Sequence, residues 1–158
     1  MKVLGIDPGT AACGYGIVQG NAGRLRATVH GCWTTPAGRR QDLRLKTIFD
    51  AVSALIAEHA PDAVALEESF VGADARIALS VGQARGAVLV ACALAGVEAA
   101  EYAPAHVKQA VCGYGRADKQ QVARMVKLVL GVEVTNDHAS DALAVAICHA
   151  TAPKVIAA

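Results

Sequence analysis

Three acidic residues in this 158-residue chain stand where a backbone element would present them rather than hide them. Asp7 ends the run Lys2-Val3-Leu4-Gly5-Ile6 and is followed at once by Pro8-Gly9, the pattern of a buried strand stopped by a turn. Glu67 ends Ala65-Leu66-Glu67 in the same manner. Asp141 lies in the first turns of a helical stretch, in Asn136-Asp137-His138-Ala139-Ser140-Asp141-Ala142-Leu143. A carboxylate ending an otherwise apolar strand is costly to bury without a partner. A metal is one partner that lets several carboxylates converge. Hard divalent cations such as Mg²⁺ take oxygen ligands and keep waters for substrate phosphates. Two such ions roughly 3.5–4 Å apart stabilise both the attacking and the leaving oxygen in phosphodiester cleavage. Singly, each acid has an ordinary reading: a turn former before Pro-Gly, a solvated strand end beside Glu68, or a complement to the helix dipole. Their conjunction is far more specific than any one of them.

The elements that must position these acids follow from periodicity. Residues 2–7, 14–19 and 25–33 read as three strands, most simply a hairpin meander. Leu43, Leu45, Ile48, Val52, Leu55 and Ile56 recur at helical spacing, which predicts an amphipathic helix over 40–59. Pro61-Asp62 then precedes a short strand at 63–67. A helix rich in small residues is expected over 74–94, a fifth strand at 97–102, and a short helix at 104–111 with Pro104 in its first turn. Residues 112–116 form a Gly-containing loop. Asp118 caps a helix that runs to Leu130 and ends at Gly131. Asn136 or Thr135 caps a last helix that reaches about Ala150. This order is an α/β layer arrangement with an antiparallel start and a parallel remainder, in one domain over 1–152 with a short tail at 153–158.

Composition narrows the class. Hydrophobic residues make up 54% but aromatics only 4%, so Ala supplies much of the apolar content, as in a soluble α/β domain. The longest uncharged apolar stretch, 87–97, falls short of the roughly 20 residues that cross a bilayer. The first residues run straight into a strand with no signal-peptide layout, which predicts a cytoplasmic protein with no membrane partner. Five scattered cysteines without C-x-x-C spacing suggest reduced, mostly buried thiols, with neither a zinc site nor a disulfide framework. The net charge of +1 neither announces nor excludes nucleic acid.

Several stretches, taken in order, carry a resemblance. They are Gly5-Ile6-Asp7-Pro8-Gly9-Thr10 with Gly14-Tyr15-Gly16, Leu66-Glu67 with Phe70, and Gly82-Gln83-Ala84-Arg85-Gly86. Val107-Lys108-Gln109, Ala117-Asp118-Lys119 through Met125-Val126, and Asp141-Ala142-Leu143-Ala144 complete the set. Along nearly its whole length the chain resembles the RuvC family of Holliday-junction resolvases. The resemblance implies a ribonuclease-H-like fold with a mixed five-stranded sheet flanked by helices, a homodimer, and a site for two ions, Mg²⁺ or Mn²⁺. It further implies paired nicks in opposite strands of four-way junction DNA during recombination and repair, and a branch-migration complex as partner.

By the same resemblance the metal-binding and catalytic acids fall on Asp7, Glu67 and Asp141, with His138 in the fourth position, where many family members have Asp. Helical spacing alone does not choose between His138 and Asp137, because positions three and four before Asp141 share its face; the resemblance places His138 in register. Lys108 and Lys119 match basic positions beside the scissile phosphate. Arg76 first, then Arg85, Arg116, Arg124 and Lys127, are further candidates for DNA-backbone contacts, which supply salt-sensitive affinity. Phe70, in the loop after Glu67, is expected to stack on a base unpaired at the crossover. The small-residue helix over 74–94 is expected at the dimer interface, since a two-fold enzyme suits a roughly two-fold junction. The rivals are an RNase-H-fold nuclease that processes ribosomal RNA, a non-catalytic junction-binding protein, and an actin-like phosphotransferase, which needs two such domains.

Overall fold

A computed structural model describes residues 1–21, 23–68 and 74–152; Phe70 and the expected tail at 153–158 lie outside them. The strands are β1 (Lys2–Asp7), β2 (Ala12–Asn21), β3 (Arg24–Thr34), β4 (Ala63–Glu67) and β5 (Ala99–Tyr102). The helices are α1 (Gln41–His59), α2 (Ala75–Ala95), α3 (Pro104–Cys112), α4 (Lys119–Leu130) and α5 (Asp137–Thr151). The sheet order is β3-β2-β1-β4-β5, antiparallel among the first three strands and parallel from β1 to β4 to β5. The mixed sheet expected from the sequence is therefore present.

Two elements differ in extent from the expectation. The β2–β3 hairpin is longer than expected, pairing from Ala12↔Thr34 to Asn21↔Arg24. β5 starts at Ala99 rather than 97, because the Val97 amide still donates to the Cys92 carbonyl and closes the end of α2. The expected caps form. Asp118 and Gln121 build a reciprocal capping box on α4, Gly131 closes that helix at φ 64°, and Asn136 rather than Thr135 caps α5 through the Ala139 amide.

Period-two alternation splits the core in two. Leu4 and Ile6 of β1 with Val64 and Leu66 of β4 pack towards Ile48 and Val52 of α1 and Ala84 and Val88 of α2. Val3 of β1 and Ala65 of β4 face the other way, into a cluster with Val107 of α3, Val126 of α4 and Leu143 of α5. Cys13, Cys92 and Cys148 are buried free thiols, while Cys32 and Cys112 are half-buried.

α2 departs from the expectation built on the uncharged run 87–97. Ala75–Ala95 is long and apolar enough to cross a membrane by length and composition, with mean hydropathy 1.7, and only 22% of that stretch is buried. Arg76 and Arg85 interrupt it without making it polar. Its buried residues are Ala84, Val88, Ala91 and Cys92. Leu79, Val90 and Leu94 are 65%, 52% and 75% exposed on another face, and a side chain at Gly82 or Gly86 would meet open space.

Candidate active site

The alternation that divides the core also aims the acids. Asp7 continues the β1 series Val3, Gly5, and Glu67 continues the β4 series Ala65, so both carboxylates leave the sheet on the side covered by α5. Ile6 pairs with Leu66 in the parallel register, which makes Asp7 and Glu67 neighbours at adjacent strand ends.

α5 lies unusually close to the sheet because glycines line its path. A Cβ at Gly5 would stand 1.9 Å from the Ala142 carbonyl oxygen, and one at Gly14 would stand 2.0 Å from that of His138. At Gly16 it would meet the Leu143 side chain at 2.5 Å. These three residues recur on one face of β1 and β2 and form a smooth floor. The helix N-terminus therefore descends onto the Asp7 strand end. Substituting Gly14 by Ala must displace the α5 backbone, since the neighbouring atoms are main chain. We expect Gly14→Ala to lower stability by roughly 1–3 kcal/mol, the range for overpacking a core. Denaturant midpoints read this directly.

The resulting geometry brings four of the expected side chains together. His138 Nδ1 lies 2.7 Å from Asp7 Oδ2. Lys119 Nζ lies 3.4 Å from Asp141 Oδ2 and 3.5 Å from Asp137 Oδ2. Asp137 is 78% exposed and faces Lys119, whereas His138 faces Asp7. A cleft of about 690 Å³ is lined by Asp7, Glu67, Glu68, Arg76 and His138 together with the 8–12 turn. An adjoining hollow of about 210 Å³ is lined by Glu67, Lys108, Lys119 and Asp141. Glu67 borders both.

The electrostatics are those of anions that are buried first and crowded second. Burial, then the charges of Asp141 and Asp7, push the Glu67 carboxyl up to about 7 against the opposing pull of Lys108 and Lys119. Burial raises Asp7 as well, in spite of its bond to His138. Burial raises Asp141 against the attraction of Lys119. Burial lowers Lys119, but the carboxylates of Asp141 and Asp137 outweigh it and hold the ammonium above its ordinary range.

Not every basic residue expected at DNA is free for it. Arg85 is bound by both Glu101 carboxylate oxygens, and Lys127 pairs with Glu133. Arg76, Arg116 and Arg124 are exposed. Sequence reasoning passed over Glu68, whose amide donates to the Tyr102 carbonyl at 2.8 Å and which borders the cleft. It also passed over the glycine floor, for which the period-two spacing of Gly14 and Gly16 was the available signal.

A five-stranded mixed sheet of this order, with carboxylates on its first and fourth strands and on the last helix, defines an α/β nuclease of ribonuclease-H-like fold. The family model described as crossover junction endodeoxyribonuclease RuvC matches residues 3–149. The chain belongs to the RuvC family. It is 51% identical over 153 residues to a crossover junction endodeoxyribonuclease RuvC of Moorella thermoacetica, covering 96% of this chain and 92% of the relative. It is 51% identical over 158 residues to that of Chloroflexus aggregans, covering 98% and 96%. Among solved structures, Thermus thermophilus RuvC in complex with a Holliday junction substrate superimposes with TM-score 0.91 at 38% identity, covering 95% of this chain and 93% of that one. A yeast mitochondrial Holliday junction resolvase shares the fold alone, with TM-score 0.65 at 12% identity, covering 92% and 77%.

Proposed function

We propose that this protein is a metal-dependent Holliday-junction resolvase, an endodeoxyribonuclease that makes paired nicks in four-way DNA junctions, and that Asp7, Glu67, His138 and Asp141 form its catalytic centre. The observation that carries the reading, in a chain of the RuvC family, is that Asp7, Glu67 and His138 line one cleft and that Glu67 also borders the adjoining hollow lined by Asp141. The solved relative bound to a junction supports the substrate.

The donor set fits a hard dication. Burial, then the charges of Asp141 and Asp7, raise Glu67 to about 7, a cost of burying neighbouring anions that a divalent ion relieves. Among the described residues no group of three or more His, Cys, Asp or Glu side chains stands ready to hold an ion. Asp7 is engaged by His138 and Asp141 by Lys119, so ion binding must compete with or share these two pairings. The residues that would hold Mg²⁺ or Mn²⁺, as two ions, are Asp7, Glu67, Asp141 and His138. When bound, the ions would supply positive charge to the attacking and leaving oxygens of phosphodiester hydrolysis.

The chain's own groups do the rest. His138, tied to Asp7 through Nδ1, is oriented with Nε2 as the remaining ring nitrogen, available to take a proton from water or to ligate a metal. Lys108 and Lys119 place two ammonium groups beside the hollow that Glu67 and Asp141 share, where they attract the phosphate and offset its charge. Arg76 lines the cleft and contributes backbone affinity. Phe70 follows Glu67 in sequence and is assigned the base-stacking role at the crossover. The exposed apolar face of α2, with Gly82 and Gly86 open to close approach, suits a second copy of this chain. A branch-migration complex is the further partner that the family resemblance suggests.

The test offers a labelled four-way junction, a linear duplex and a structured RNA to the protein with Mg²⁺ or Mn²⁺. Paired nicks confined to the junction are expected. Cleavage of the RNA instead, or binding of the junction without cleavage in either metal, would select one of the rivals. His138 adds a metal preference. Imidazole suits Mn²⁺ better than Mg²⁺. Single-turnover cleavage is therefore expected to be faster in Mn²⁺ at equal concentration, and His138→Asp to narrow the ratio. An unchanged ratio in His138→Asp, together with inactivity of Asp137→Asn, would move the fourth ligand to Asp137.

A further inference from the structure

Behind the turn that follows Asp7 lies a set of hydroxyl groups for which the carboxylate chemistry has no use. Thr10 is 3% and Thr35 8% exposed. Thr10 Oγ1 donates to the Ser80 carbonyl at 2.9 Å and accepts from Ser80 Oγ at 2.8 Å, which uses its one proton and one of its lone pairs. The Thr10 carbonyl accepts from Thr35 Oγ1 at 2.6 Å, and Thr35 Oγ1 in turn accepts from Arg44 Nε at 2.8 Å. The Thr35 amide donates to the Ala11 carbonyl at 3.1 Å. Thr10 is thus gripped twice, by α2 through its side chain and by the segment between β3 and α1 through its main chain. Ser80 makes an unusual choice for a serine inside a helix, where the hydroxyl ordinarily bonds its own preceding turn or water.

The grip matters because of what lies between Thr10 and the acid. Only Pro8 and Gly9 separate them, and Gly9 runs so close to the Ala12 carbonyl that a Cβ there would stand 2.3 Å from its oxygen. The turn is short and tight, so an anchor at Thr10 is transmitted to Asp7 with little slack. Thr10 and Ser80 also line the same cleft as Asp7, Glu67 and His138.

We propose that Thr10 and Ser80 are positioning residues for Asp7: the Thr10 hydroxyl, donating to the Ser80 carbonyl and accepting from the Ser80 hydroxyl, clasps the catalytic turn to α2 and holds the Asp7 carboxylate in place beside Glu67 and His138. The proposal rests on the reading of Asp7 as a catalytic acid. Because Ser80 adjoins Leu79 on the exposed face of α2, the clasp also makes the catalytic turn one body with the helix assigned to the dimer.

The test compares Thr10→Val, Thr10→Ser and Ser80→Ala with the wild type, each checked for a cooperative melt. Single-turnover cleavage of a four-way junction at saturating protein and Mn²⁺ is expected to fall at least about tenfold in Thr10→Val and Ser80→Ala, with junction Kd within about threefold, because the lost interaction acts on the chemical step. Thr10→Ser, which keeps the hydroxyl, is expected to cleave within about twofold of wild type. Independently of activity, amide exchange over residues 9–12 should quicken by about tenfold or more in Thr10→Val, which removes both bonds to Ser80, and by less in Ser80→Ala, which keeps the bond to the residue-80 carbonyl. Wild-type rates in the folded variants would overturn the proposal. So would a Thr10→Ser as slow as Thr10→Val, which would assign the effect to packing, or a loss confined to Kd. If Thr10→Val does not fold, Ser80→Ala decides. If the wild type itself cuts no junction, the functional reading fails, and unchanged exchange in Thr10→Val would separately overturn the clasp.

Discussion

Asp7→Asn is expected to bind four-way junctions as the wild type does and to cut them about a thousandfold more slowly, the loss that follows when ~4 kcal/mol of transition-state stabilisation is removed. The substitution keeps the shape of the side chain and an oxygen that can accept from His138 Nδ1, so the strand end and the pairing at 2.7 Å have no reason to move. It removes one of three anions that together make the site attractive to a dication. Affinity for the junction is assigned to different groups, Lys108, Lys119 and Arg76, which line the cleft and its adjoining hollow. The check is a gel-shift Kd measured beside a single-turnover rate in Mg²⁺. An Asp7→Asn protein that cleaves at the wild-type rate would remove Asp7 from the centre. Glu67→Gln and Asp141→Asn should behave alike.

Glu67→Gln is also expected to stabilise the metal-free fold while it abolishes activity. Burial and the neighbouring Asp141 and Asp7 raise the Glu67 carboxyl from 4.5 to about 7 in the folded chain. Between those values the native state holds a proton that the unfolded chain has released, so native stability falls as pH rises through this window and stays lower above it. Below pH 4.5 both states are protonated and the handicap is absent. Part of the side chain remains solvated, which screens the penalty; after that discount it amounts to about 1–2 kcal/mol at pH 8. For a chain of this size that corresponds to a Tm higher by roughly 3–6 °C for Glu67→Gln at pH 8, vanishing near pH 4. Added Mn²⁺ should reverse the ranking, because an ion that binds only the native wild type stabilises it by mass action. The same competition between proton and metal predicts that wild-type cleavage at limiting metal rises with pH through about 7, and that the midpoint moves to lower pH as metal is added. Equal Tm for wild type and Glu67→Gln at pH 8 without metal would mean that neither burial nor its neighbours raise the Glu67 carboxyl.

The amino-acid sequence by itself determined a good deal here. The strand ends that carry Asp7 and Glu67 are written in local residue order, as apolar alternation broken by an acid. The side on which each acid leaves the sheet follows from the period of two that it shares with Val3 and Ala65. The cap at Asp118 is local as well, since its side chain needs to reach only three residues ahead, whereas local order left Thr135 and Asn136 both open at the start of α5.

What only the tertiary structure decided is which distant elements meet. Helical spacing put Asp137 and His138 on equal terms. In the fold His138 faces Asp7 and Asp137 faces Lys119, on a helix that the bare backbone at Gly14 lets press onto β2, a contact across 124 residues of chain that no local pattern encodes. Arg85 reads in the sequence as a free cation for DNA, and Glu101, which claims it, lies on a different element. Thr10 reads as a turn residue until Ser80, 70 positions later, turns its hydroxyl to it. Periodicity and capping act within a few residues, where chain geometry alone fixes which side chains are neighbours. The pairings that complete this site depend on how closely two backbones can approach, and that distance is set by packing the whole sheet between its two layers of helices.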